Sequence, residues 1–138
     1  MAQDSNFRLF NPEGLSKPTR YGYSHLGEVR GGRTVYISGQ IALDASGNLV
    51  GKGDLRAQTR QVFENLKIAL AAAGATFRDV IKINTYCADS VDDTGIALIL
   101  EVRSRYLNQQ NPPASTFVIV RRLVRPEWLI EVEAVAVV

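Results

Sequence analysis

The sequence predicts an α+β domain, a mixed sheet of about six strands with two helices lying on one of its faces. Three observations carry that prediction. Between Asp54 and Gly74, the residues Leu55, Thr59, Val62, Phe63, Leu66, Leu70 and Ala73 recur at helical spacing as one apolar stripe, and a shorter helical pattern runs from about Asp93 to Leu107. β-Branched runs bounded by Gly, Pro, Asn and Asp lie before, between and after these two segments. The last run, Leu129 to Val138, is nearly all apolar and reads as a central strand buried on both faces. At 138 residues and 46% apolar content, residues 1–138 make a single domain large enough for its own core.

Each element follows from local chemistry. Phe7 to Phe10 form a short strand ended by the turn signal Asn11-Pro12-Glu13-Gly14. The loop Lys17 to His25 is polar, aromatic and punctuated by Gly and Pro, a composition that can line a pocket. His25 has no evident acid partner and reads as a surface or strand-start residue rather than a base. Val29 leads into Arg30-Gly31-Gly32-Arg33, a hairpin-turn candidate, and then into a strand from Thr34 to Leu43. Ser38-Gly39-Gln40 interrupts that strand, where a glycine marks a bulge or the close approach of another group. After the turn Asp44 to Asn48, Leu49-Val50 pair briefly. Asp54 caps the first helix and Gly74 follows its end. Arg56, Arg60, Gln61, Glu64 and Lys67 form its solvated face. Val80 to Ala88 is the next strand, and the helix between it and the earlier strand is long enough for a crossover that makes the two parallel neighbours. The second helix is capped by Ser90 or Asp92 and turns Ile96, Ile99, Leu100 and Tyr106 inward, with Gly95 in its first turn. Pro112-Pro113 stops it and launches Ala114 to Val120, which reads as the antiparallel partner of the final strand.

Two carboxylates interrupt that final strand. Glu131 and Glu133 share a parity and point to one side of the sheet. Such groups are costly on a buried strand, so that face meets water, or a partner or ligand supplies donors. The sheet face not covered by helices stays partly apolar, which predicts an oligomer.

Composition excludes several functions. Lys and Arg total 16 against 14 Asp and Glu and are scattered, so nucleic acid is not an expected partner. One Cys and one His provide neither a metal cluster nor a Cys-His or Ser-His relay. Cys87 excludes an internal disulfide, reads as a small buried residue and suggests a reducing, cytoplasmic compartment. No apolar run approaches the roughly 20 residues of a membrane span, and the N-terminus has no signal pattern.

Several segments together resemble the Rid family, the reactive intermediate deaminases also known as YjgF-type proteins. They are Tyr23, Ile37-Ser38-Gly39-Gln40-Ile41, Gln58 to Leu66, Ala72-Ala73-Gly74-Ala75, Asp79-Val80-Ile81-Lys82, Tyr106 before the Pro-Ala turn, and Ile130 to Ala136. The resemblance runs from about Tyr21 to Ala136. It implies a chorismate-mutase-like homotrimer with small-molecule pockets at the subunit interfaces. It also implies hydrolysis of enamines and imines to a carbonyl product and ammonia with no cofactor. By the same resemblance Glu131 positions the attacking water, while Tyr23, Ser38 and Gly39 lie near the pocket, lined further by Ser115 and Phe117.

One position departs from the family. Where deaminating members carry an arginine after Pro-Ala that grips the substrate carboxylate, this chain has Ser115. Losing a bidentate charged pair costs about 3–6 kcal/mol, roughly a hundredfold to ten-thousandfold in affinity. Arg121 shares Ser115's parity but lies about 20 Å along a regular strand, and Arg122 faces the other side. Arg20, Arg33, Arg103 and Arg105 are the candidates to enter from a neighbouring subunit, a point that sequence alone does not decide. An asparagine that some members carry on the second helix falls near Leu98-Ile99, making the pocket more apolar. Two readings follow: an enamine or imine deaminase retuned to a non-standard, bulkier or more apolar substrate, and a non-catalytic metabolite-binding or partner-regulating trimer. A third role attached to the family, ribonuclease or translation inhibitor, is opposed by the scattered charge and the lack of a His pair.

Overall fold

The fold is built on the longer of its two helices, α1 (Leu55–Ala72). In the computed structural model, which describes residues 5–18 and 22–138, the Asp54 side chain accepts a hydrogen bond from Ala57 N at 3.0 Å and so caps that helix. Gly74 closes it at φ +75°, in the left-handed region that glycine enters without strain. Thr59, Val62, Phe63, Leu66 and Leu70 are buried, as their spacing predicts. Gln58 is buried beside them, which the pattern does not predict.

Six strands appear among the described residues: β1 (Phe7–Phe10), β2 (Leu26–Val29), β3 (Thr34–Gln40), β4 (Val80–Ala88), β5 (Ala114–Val120) and β6 (Ile130–Val137). They divide into an antiparallel ribbon, β1-β2, and a four-stranded sheet in the order β3-β6-β4-β5. The second helix, α2 (Asp93–Ser104), takes Asp92 as its cap. Arg20 and Tyr21 lie outside the described residues.

Three pairings differ from the sequence expectation. β5 and β6 are not an antiparallel pair: β5 runs parallel to β4 at the sheet edge, while β6 lies antiparallel to both β3 and β4. The β4-α2-β5 crossover fixes β5 on the outer side of β4. The most apolar strand then takes the position with two neighbours, and residues 121–129 are long enough to step back over β4. For the same reason β3 and β4 run in one direction but are not adjacent, because β6 separates them. Arg30 to Arg33 does not close a hairpin, since Arg30 N and Gly31 N donate to Asn6 O and Arg33 N donates to Val138 O. The bulge at Ser38-Gly39 is where the glycine predicts it, as a register break between Ile37 and Gln40.

Alternation along the central strands separates two faces. Ile83, Cys87, Ile130, Val132, Ala134 and Ala136 face the helices and join Phe63, Leu66, Leu70 and Ile99 in the core. Phe63 stacks on Tyr106 with ring centroids 5.1 Å apart. The residues between them on β4 and β6, namely Lys82, Asn84, Tyr86, Glu131, Glu133 and Val135, are half-buried on the opposite, open face. β6 is therefore central but not covered on both sides within one chain. The open face carries the largely exposed Tyr36 and also this polar cluster, so it is more polar than composition alone predicts.

Candidate functional site

Behind β5 lies a cavity of about 310 Å³, lined by Tyr23, Ile96, Leu100, Arg103, Ser115 and Phe117. Parallel register with Ile83 and Thr85 puts Ser115 and Phe117 on the helix side of the sheet. Ile96, Leu100 and Arg103 follow one another at i, i+4 and i+7 along α2, hence on one face. Tyr23 is held by its neighbour: Ser24 N donates to Pro113 O at 3.0 Å and Ser24 Oγ to Pro112 O at 2.6 Å. His25 packs edge-on against Tyr23, and its Nε2 lies 2.6 Å from Ser16 O, a scaffolding arrangement for that loop.

Among the four candidate arginines, Arg103 is the one that lines this cavity. It reaches Ser115 from within the same chain, its Nη1 donating to Ser115 Oγ at 3.3 Å and its Nη2 to Gly22 O at 3.4 Å. The side chain is only 4% exposed, and burial draws the guanidinium pKa below its ordinary value. The other arginines considered lie elsewhere: Arg33 donates to Ala73 O, Arg105 pairs with Glu101, and Arg122 donates to Leu123 O and Val124 O. The i, i+7 spacing from Ile96 is the sequence signal that sets Arg103 on the cavity face of α2, against the general preference of arginine for solvent.

Glu131 stands on the open face, opposite Tyr86 in register, and so across the sheet from Ser115. The bulge brings Gly39 against it so closely that a Cβ added at Gly39 would overlap Glu131 Oε1 and lie 2.9 Å from its Cδ. Burial first, and then the neighbouring charge of Glu133, raise the Glu131 carboxyl above the usual range. Glu133 shifts the other way, because Tyr86 OH donates to it at 2.5 Å and Asn84 Nδ2 at 3.0 Å. One carboxylate is thus tied into the sheet, while the other receives no hydrogen bond among the described residues. Ser38 lines a separate recess with Tyr36, Lys82, Asn84 and Glu133. Cys87 is fully buried, and desolvation lifts its thiol to about 11, which makes it unreactive.

The six residues singled out from sequence therefore do not converge in one chain. Tyr23, Ser115 and Phe117 share the cavity behind β5, whereas Ser38, Gly39 and Glu131 lie at the other face. The contact between Gly39 and Glu131 gives a prediction: Gly39→Ala displaces the Glu131 carboxylate while leaving the fold stable, because the clash is with a side chain that can rotate. A thermal melt unchanged within about 2 °C, together with a Glu131 carboxyl resonance titrating nearer the ordinary value, is the expected pair of results. An unaltered titration would show that the two groups are not coupled.

The chain matches the Endoribonuclease L-PSP family over residues 15–138. It is 41% identical over 108 residues to a RutC family protein of Pyrococcus horikoshii, covering 78% of this chain and 82% of that one. It is 32% identical over 125 residues to the 3-aminoacrylate deaminase RutC of Acinetobacter baylyi, covering 91% and 93%. The crystal structure of YyfB from Yersinia pestis, described as a Rid family protein of unknown function, superposes with a TM-score of 0.87 at 41% identity over 97% of this chain and 100% of that one. Fold, strand order and relatives define a small α+β protein of the RutC and RidA kind. The chain belongs to the Rid, or YjgF-type, family. No helix among the described residues is long and apolar enough to cross a membrane.

Proposed function

We propose that this protein is a cytoplasmic homotrimer whose small-molecule pockets are completed across subunit boundaries, and that it hydrolyses an enamine or imine to a carbonyl product and ammonia. The observation that carries this reading is the division of the candidate residues between two faces of the sheet. One chain presents the cavity of Tyr23, Ser115 and Phe117 beside its β5 edge, and Glu131 with Gly39 on the open face towards β3. A cyclic arrangement of identical subunits sets the first group of one copy against the second group of the next. The name of the Acinetobacter baylyi relative supports the reaction class.

The chemistry asks little of the protein. Protonation of an enamine at carbon gives an iminium. Water then adds to the iminium carbon while its proton passes to a base, the carbinolamine nitrogen is protonated, the C–N bond breaks, and ammonia leaves as the carbonyl forms. Glu131 suits the shuttle because burial and the charge of Glu133 raise its carboxyl above the usual range, which strengthens it as an acceptor of the water proton that it then returns. Orientation of water and substrate supplies the remainder. A second reading, a non-catalytic metabolite-binding or partner-regulating trimer, is favoured by one observation: Ser115 stands where the resemblance places a substrate-gripping arginine.

Ammonia release from freshly generated 2-aminoacrylate and from bulkier imines tests the proposal, with Glu131→Gln and Ser115→Phe as variants that remove the base and fill the cavity. The parent is expected to turn over, and each variant alone to be silent. Co-refolded in equal amounts, the two variants should recover about a quarter of the parent's activity, since about one shared site in four would hold both intact groups. A parent silent on every imine sinks the enzymatic reading. An active parent whose variants never complement sinks the shared site.

A further inference from the structure

A second recess, of about 410 Å³, lies beside α1 where β3 ends. Its apolar walls are Ile41, Leu43, Ala45, Ile68 and Ala69. Ile68 is 67% exposed, the one large apolar side chain that either helix leaves in water among the described residues. The polar side chains of the recess are already engaged. Asn65 Nδ2 donates to Ile41 O at 3.0 Å and to Leu43 O at 2.9 Å, while its Oδ1 accepts from Gln61 Nε2. Gln40 Nε2 donates to Ser38 O, and Asp44 Oδ1 accepts from Ser46 N and Asn48 N to close its own turn. The recess therefore offers a ligand aliphatic surface rather than hydrogen bonds that would fix a polar group. One end of it is bounded by Gly39, the same residue against which the Glu131 carboxylate lies. Glycine has no side chain, so that boundary is backbone alone.

We propose that this recess is a subsite for an aliphatic chain, and that the substrate carries such a chain beyond its reacting C–N group. The inference rests on the enzymatic reading above and deepens it by naming the substrate class. A chain attached to the carbon presented to Glu131 passes the backbone edge at Gly39 and lies along Leu43 and Ile68, leaving water as it does so.

The test is titration of the full-length oligomer with 2-butanone and with 2-octanone, uncharged carbonyl probes that differ only in chain length, followed through methyl resonances. The parent should bind 2-octanone at least about tenfold more tightly, because each methylene withdrawn from water contributes about fourfold. The shifts should fall on Ile41, Leu43 and Ile68 rather than on Ile96 and Leu100 of the cavity behind β5. Ile68→Asp should bring the two ketones within about twofold of each other, and the exposure of Ile68 leaves the core intact in that variant. Equal affinity of the parent for both ketones overturns the proposal without any variant. Shifts confined to Ile96 and Leu100 overturn it too, as does a length preference that survives in Ile68→Asp. Sedimentation of the same variant tests the other occupant: an oligomer broken by Ile68→Asp means that a second copy covers the recess, and the subsite falls. The outcomes also separate the two readings. A length preference at these methyls with no ammonia release from any imine leaves the subsite standing and removes the enzyme. Turnover of imines with no dependence on chain length does the reverse.

Discussion

Replacing Gln58 by leucine is expected to lower the stability of the protein by about 3 kcal/mol, although the two residues are similar in size and both favour helix. Gln58 is fully buried in α1, and its amide meets three backbone groups. Nε2 donates to Gly51 O at 3.1 Å and to Glu127 O at 3.0 Å, and Oε1 accepts from Leu129 N at 2.9 Å. Leucine would strip all three of their partner, and each such loss costs about 1 kcal/mol where some water can follow, and more where none can. A urea midpoint lowered by about 1–2 M with an unchanged slope is the expected record. An unmoved midpoint would mean that the amide's partners find other bonds. The tether also bears on the site. Leu129 stands two residues before Glu131, so Gln58 helps fix where β6 begins and where the carboxylate sits.

Gln58 also shows where sequence reasoning stops. Helical periodicity locates α1 through Leu55, Val62, Phe63, Leu66 and Leu70, because burial of an apolar stripe is a property of one segment. A glutamine within that stripe is indistinguishable from a solvated one until the loop it holds, residues 121–129, is in place. The same holds for Arg103, whose charge points to solvent while its position on α2 points inward. Strand parity is equally local, so the common side of Glu131 and Glu133 and the bulge at Gly39 were readable. Strand order is not local. The apolar character of β6 marks a central strand, yet it does not say that β3 and β4 are its neighbours and β5 is not, which follows from the crossover through α2. The candidate residues came from the resemblance, and their separation onto two faces became visible only when the register was known.

Glu131→Gln is the substitution with the largest expected functional effect, a fall of at least about a hundredfold in ammonia release on any substrate the parent turns over. The amide keeps the shape and remains able to hydrogen-bond water, but it neither accepts the proton of attacking water nor returns one to the departing nitrogen. Stability should move the opposite way. The folded chain holds the Glu131 proton more tightly than the unfolded chain, because burial and the charge of Glu133 disfavour ionisation. This residue's contribution is therefore full below the ordinary carboxyl value of 4.5 and declines as the pH rises through the raised folded value. At pH 7 the parent carries that loss and the glutamine variant does not. The variant should melt higher by an amount on the order of a few degrees, and the gap should close on acidification. Glu133, whose shift runs the other way, is common to both proteins and largely cancels from the difference. A variant that loses activity and also melts lower at pH 7 would contradict this account. It would mean that a neighbouring subunit already pairs with Glu131 and that the carboxylate holds the oligomer together rather than serving the reaction.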